Sequence, residues 1–109
     1  MALTWVAGQA TAPTAGQVIV DGGGTAHDAV QFFEIVMNAT LATTFTLQHR
    51  NAANSANLHE QDFSILANEA VDFGQFSIFM AAGERLRVVV KGGILGAVSV
   101  SMFWGESQT

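Results

Sequence analysis

Between Ala97 and Trp104 the chain alternates apolar and small polar residues almost without a break, and the same period of two recurs in at least five other segments. A period of two sends successive side chains to opposite faces of a sheet, so the chain reads as all-β. Strands are expected over residues 3–7, 17–21, 29–38, 43–50, 60–66, 72–80, 85–91 and 95–104. About eight short strands with turns at regular spacing fit a two-sheet antiparallel β-sandwich of jelly-roll type. An immunoglobulin-like sandwich is the alternative, but its disulfide and buried-tryptophan spacing are missing.

The alternation also assigns faces. Phe45, Leu47 and His49 fall on one side of their strand, with Thr44, Thr46 and Gln48 on the other. Leu86, Val88 and Val90 point inward, and Arg85, Arg87 and Lys91 guard the opposite face, a pattern that discourages wrong strand pairing. In residues 72–80, Phe76, Ile78 and Met80 oppose Phe73, Gln75, Ser77 and Phe79. The dense block around Phe32 is apolar on both faces. If Phe33, Ile35 and Met37 face the core, Phe32 and Val36 point out beside Glu34, as at a subunit contact; a central strand covered by a loop is the other reading.

Small residues from Gly8 to Gly16, with the sole proline at Pro13, suggest an extended arm outside the sheet centre. The chain therefore divides into an N-terminal strand and arm, residues 1–16, and a sandwich domain, residues 17–109. Gly22, Gly23 and Gly24 are expected to end a strand in a turn; they lack the Lys and Ser/Thr of a phosphate-binding loop.

Composition sharpens the reading. With 109 residues there is one domain, and only 12% of them are charged, against about 25% in an average soluble domain. Too little charge to solvate every face implies contact with other protein, first of all copies of itself. A net charge of -5 with only Arg50, Arg85, Arg87 and Lys91 as cations speaks against nucleic acid, whose binding needs clustered basic groups. Cysteine is absent, no basic, apolar leader opens the chain, and no apolar run is long enough to span a membrane. A soluble product of a cytoplasm with no membrane partner is expected.

Chemistry-bearing patterns are sparse. His27, His49 and His59, with Glu60 and Asp62, raise a metal site, but no His-x-His pair occurs, and two histidines meeting at the Asn-rich loop leave a transition metal short of donors. Ser64, Ser77, Ser99 and Ser101 sit in strand alternation rather than in a nucleophile elbow. Nothing in the spacing of Glu34, Glu60, Asp62, Glu69, Asp72 and Glu84 singles out a catalytic pair. The expectation is no enzyme, no metal and no cofactor. Trp5 and Trp104 could floor a sugar site, although mutual packing near the termini fits their places better.

Two segments in order carry a resemblance: His-Arg-Asn-Ala-Ala-Asn-Ser-Ala-Asn over residues 49–57, and Met-Ala-Ala-Gly-Glu-Arg-Leu-Arg-Val over residues 80–88, before a strand ending in Phe103-Trp104. This resembles small virion proteins of tailed bacteriophages, the trimeric capsid decoration, or cement, proteins. The resemblance implies a jelly-roll homotrimer on the capsid exterior, seated where capsomers meet, with the major capsid protein as partner. It implies that Arg50, Asn51, Ala52, Ala53 and Asn54 form a loop at one end of the sandwich, and that Glu84, Arg85 and Arg87 form a charged rim able to bond a neighbour. Residues 2–16 would be the capsid-binding arm, adding a strand to a partner or lying along it. Candidate interface residues are thus Trp5, Pro13, Phe32, Val36, Arg50, Asn51, Asn54, Glu84, Arg85 and Arg87. The competing function is a carbohydrate- or receptor-binding sandwich, such as a head-fibre or tail-tip module.

Overall fold

The structure, a computed structural model, describes residues 2–24, 29–75 and 77–107. Its strands are β1 (Ala2–Thr11), β2 (Val18–Gly24), β3 (Ala29–Ala39), β4 (Thr43–Arg50), β5 (Asn57–Ile65), β6 (Glu69–Asp72), β7 (Ser77–Phe79), β8 (Arg85–Val90) and β9 (Ala97–Ser107). One sheet runs β1-β9-β3-β6, with β7 also on β3; the other runs β2-β8-β4-β5, and every pairing is antiparallel. Counting β6 and β7 as one interrupted strand, this is jelly-roll wiring, two four-strand layers linked as Greek keys.

The core lies between the layers. Alternate residues of β9, namely Val98, Val100, Met102 and Trp104, meet Phe45 and Leu47 of β4 and Leu86, Val88 and Val90 of β8, all buried as the alternation requires. Trp104 packs edge-on to Phe32 at 5.7 Å and donates its indole N–H to Glu106 at 2.9 Å, satisfying the one polar atom of the largest core side chain. Its ring crosses Gly22 so closely that a Cβ there would sit 2.6 Å from the indole. That contact requires glycine at position 22, and β2 runs on to Gly24, paired with Arg85, where a turn is expected.

The face assignment of β3 is overturned. Phe32 is fully buried and Phe33 exposed, because the pairing with β9 slips by one between Phe32 and Glu34. A β-bulge places two residues opposite one and inverts the alternation on one side of itself. Ile35 and Met37 keep the inward side, so parity counted back from them misplaces Phe32. Residues 73–75 break the expected long strand opposite this bulge. Asp72 Oδ1 accepts the N–H of Ile35 at 3.0 Å and of Gly74 at 2.8 Å, and Gly74 lies against the backbone of Phe33 and Glu34 where a Cβ would come within 2.9 Å. Phe73 consequently turns inward to Phe63, ring centroids 4.7 Å apart, while Ile78 and Met80 keep their inward places. Phe76 and His27 lie outside the described residues.

The N-terminal arm is likewise corrected. β1 pairs with β9 over ten consecutive positions, and Pro13 is buried under the β8–β9 loop, its carbonyl accepting from Ile94 N–H at 3.2 Å. Gly8 closes that side of the sandwich: a Cβ there would lie 1.9 Å from the carbonyl oxygen of Ile19. Trp5 and Trp104 do not pack together, since they face opposite sides of the first sheet, Trp5 being opposite Phe103.

Candidate functional site

The four cations all belong to the second sheet or its margin, and each has an acceptor within the chain. Arg85 reaches Asp21 at 3.0 Å, Arg87 donates to Gln48 Oε1 at 2.6 Å, and Lys91 reaches Asp62 at 2.6 Å. Arg50 is buried, donating to the Oδ1 atoms of Asn54 and Asn57, each at 2.6 Å, and to the Asn54 carbonyl at 2.8 Å. Asn54 sits at φ 56°, a left-handed conformation that asparagine tolerates better than most residues. Asn51 holds Ser55 N–H at 2.8 Å. The Asn-rich loop is thus a polar cap folded around one guanidinium, and Arg50 is removed from the accessible surface together with Phe32 and Pro13.

Glu84 closes the same end. Its Oε1 accepts from Ala81 N–H at 2.7 Å and from His49 Nε2 at 2.8 Å, and the backbone bond, aided by His49, holds this carboxyl below its ordinary pKa. A Cβ on Gly83 would meet Ala52 at 3.4 Å, so the two segments that carry the virion-protein resemblance are neighbours in space. Asp62 is also held low, by hydrogen bonds from Lys91 and then Thr46. The charged rim expected to bond a neighbour is engaged within the chain.

His49 stacks on its cross-strand partner His59 with ring centroids 5.4 Å apart. Both line a cleft of about 510 Å³ with Leu47, Glu60, Gln61, Phe63, Ser77 and Ile78. His49 Nδ1 is buried without a hydrogen-bond partner among the described residues. No set of three or more His, Asp or Glu side chains is arranged to hold a metal among the described residues.

The outer face of the first sheet differs in kind. Leu3 is 62% and Trp5 70% exposed on β1, and Phe79 is 82% exposed on β7. Trp5, Phe103 and Glu34 stand in one cross-strand row, and Phe33 stacks on Phe103 at 5.6 Å. Val36, half-buried, shares the next row with Ser101 and Ala7. None of the four cations reaches this face, and of its carboxylates Asp72 is turned to backbone amides. Trp5 is fixed in place, its indole N–H donating to Ser101 Oγ at 2.8 Å. It walls a shallow groove of about 460 Å³ floored by Ala7, Gln9, Val36, Asn38, Ser99 and Ser101.

Of the expected interface residues, this face unites Trp5 and Val36; Asn51, Asn54, Glu84, Arg85 and Arg87 lie on the second sheet and its end. Sequence reasoning missed Leu3, Phe33, Phe79 and Phe103. Leu3 carried a readable signal, since it shares the parity of Trp5 along one strand; Phe103 did not, because only the β1–β9 register places it beside Trp5. Comparison with protein-family models and with curated protein sequences gives no match, so function rests on this geometry.

Proposed function

We propose that the chain is a structural virion protein, a decoration or cement protein that binds the outer surface of a phage head as a homotrimer, with the major capsid protein as its partner. The observation that supports this reading is the outer face of the first sheet: free of cations, and carrying Leu3, Trp5, Phe33 and Phe79 in exposed positions, with Phe103 half-buried among them. Apolar groups mounted on a sheet bind by excluded water and shape, not by chemistry on a substrate. Several copies engaging neighbouring shell subunits at once add avidity, so release requires many modest contacts to break together. Such a protein is made in the host cytoplasm and resides on the capsid exterior.

Heads assembled without the chain, mixed with the purified protein and sedimented, test the proposal. Saturable co-sedimentation with a fixed number of copies per head is expected, and failure to bind at micromolar concentration overturns it. A carbohydrate-binding function is the second reading, favoured by the groove beside Trp5, where an aromatic wall meets Gln9, Asn38, Ser99 and Ser101. A glycan array separates the two, because a pure cement protein leaves it blank.

A further inference from the structure

The four outer strands are not equally defended. Unpaired edges invite association, and proteins blunt them with charges, proline, bulges or short lengths. On the second sheet, β2 carries two register shifts, and β5 carries one beside His59, Glu60 and Asp62. On the far side of the first sheet, β6 and β7 span four and three residues with a break between them. β1 has none of these devices. Its ten residues, Ala-Leu-Thr-Trp-Val-Ala-Gly-Gln-Ala-Thr, include no charge and no proline, and its register with β9 is unbroken. Among the described residues no strand pairs with its other side.

We infer that β1 is a homotypic docking edge: it pairs antiparallel with β1 of a second copy about a two-fold axis, joining two five-stranded sheets into one. Three observations select a second copy as the occupant. First, a straight, unbulged edge is matched by another such edge, and β1 is the one strand edge of the described structure with that property. Second, the chain carries a net charge of -5, which opposes self-association, yet an uncharged strand meeting itself brings no like charges face to face. Third, the flanking side chains are self-complementary. With the two-fold at Val6, residues 2–10 of both copies pair almost completely, Trp5 stands opposite Ala7 of the other copy, and Leu3 stands opposite Gln9. Each large exposed side chain therefore meets a smaller or flexible one on the same face, as a register that keeps parity requires. Trp5 adds to this because its N–H is already bonded to Ser101, so covering the ring strands no polar atom.

An isologous contact of this kind makes dimers by itself, and links trimers in pairs where a separate surface supplies a three-fold. It does not depend on what else the chain binds. In an isolated antiparallel edge alternate backbone amides face solvent; pairing on both sides shields them all.

Sedimentation velocity over a concentration series, with amide hydrogen exchange on the same samples, tests the inference on the full chain. Wild type is expected to form a species of even copy number, and the outward amides of β1 slow as it forms. Ala7→Lys, at an exposed position, places a charge against Trp5 of the other copy and is expected to weaken association at least about tenfold, or roughly 1.4 kcal/mol, with an unchanged melting curve. Leu95→Lys, at a loop tip 91% exposed beside Ala12 and beyond the residues 2–10 that pair in this register, is the control and is expected to leave association intact. A monomer or bare trimer at tens of micromolar with fast exchange at alternate β1 amides overturns the inference, as does an even-numbered assembly that survives Ala7→Lys or dissociates with Leu95→Lys. Should Ala7→Lys melt earlier than wild type, Gln9→Lys on the same face takes its place, and its failure to weaken association overturns the inference equally.

Discussion

Gly8 and Phe32 show how far one side chain's surroundings outweigh its type. At Gly8 a methyl group would stand 1.9 Å from a backbone oxygen, and neither β1 nor β2 can yield without losing its sheet. Gly8→Ala is expected to cost about 3 kcal/mol, the upper range of overpacking, and to lower the melting temperature by roughly 10 °C or more in differential scanning calorimetry. Phe32→Ala is expected to cost about 3–5 kcal/mol by leaving a cavity against Trp104, while Phe33→Ala, next door and exposed, should cost less than about 1 kcal/mol in urea unfolding. Glu84 and Asp62 give the pH dependence. Both carboxyls are held below their ordinary values in the fold, so each adds stability above its unfolded pKa, near pH 4, and that contribution is lost as pH falls through the lower folded value. Urea unfolding from pH 7 to pH 3 should show stability dropping on the acid side, less steeply in Glu84→Gln. Arg50 was legible as part of a loop, but not as its buried anchor: adjacent asparagines signal a turn, and nothing in their spacing says which of their oxygens fold back onto a guanidinium.

The bulge in β3 and the break between β6 and β7 form one device at the scale of elements. One extra residue in a strand leaves backbone groups unpaired, and Asp72 takes two of them on a single oxygen. Asp72→Ala is expected to destabilise by about 1–2 kcal/mol, since a part-buried amide and an exposed one lose their shared acceptor, and hydrogen exchange should quicken at Ile35 and Gly74 before it does elsewhere in the sheet. Strand positions and types were readable, as a period of two is a local property; β4 occupies its expected residues 43–50 in full. The bulge was not, because a slip in pairing is a relation between two strands and leaves no mark on the periodicity of either. For the same reason the small residues of Gly8 to Thr11 read as an arm, although β9 pairs them to the end of β1.

For the whole molecule, the asymmetry of the two layers governs what it can hold. The second sheet carries every cation, each with at least one acceptor within the chain; the first presents apolar groups on its outer face. The two tryptophans report on this. Trp104 is buried and Trp5 exposed, so acrylamide should quench about half of the indole emission of the free chain, and the quenchable part should shrink when a partner covers the first sheet. Trp5→Ala is expected to leave stability within about 1 kcal/mol of wild type, as surface positions do, while reducing co-sedimentation with undecorated heads several-fold. A change confined to stability would place Trp5 in the fold rather than at an interface.

The sequence alone determined the all-β class, the places of most strands and most inward positions, because alternation of burial along a strand is imposed residue by residue; the order of strands in the two sheets came from the tertiary structure. It also determined the shortage of charge on which the proposed contact with other protein rests. Only the tertiary structure decided that Phe32 and Pro13 are interior, that the charged rim is spent on bonds within the chain, and that Leu3, Trp5, Phe33 and Phe103 share one face. Those outcomes depend on which strands become neighbours and in what register, and free energy over the whole sandwich, not any local pattern, selects both.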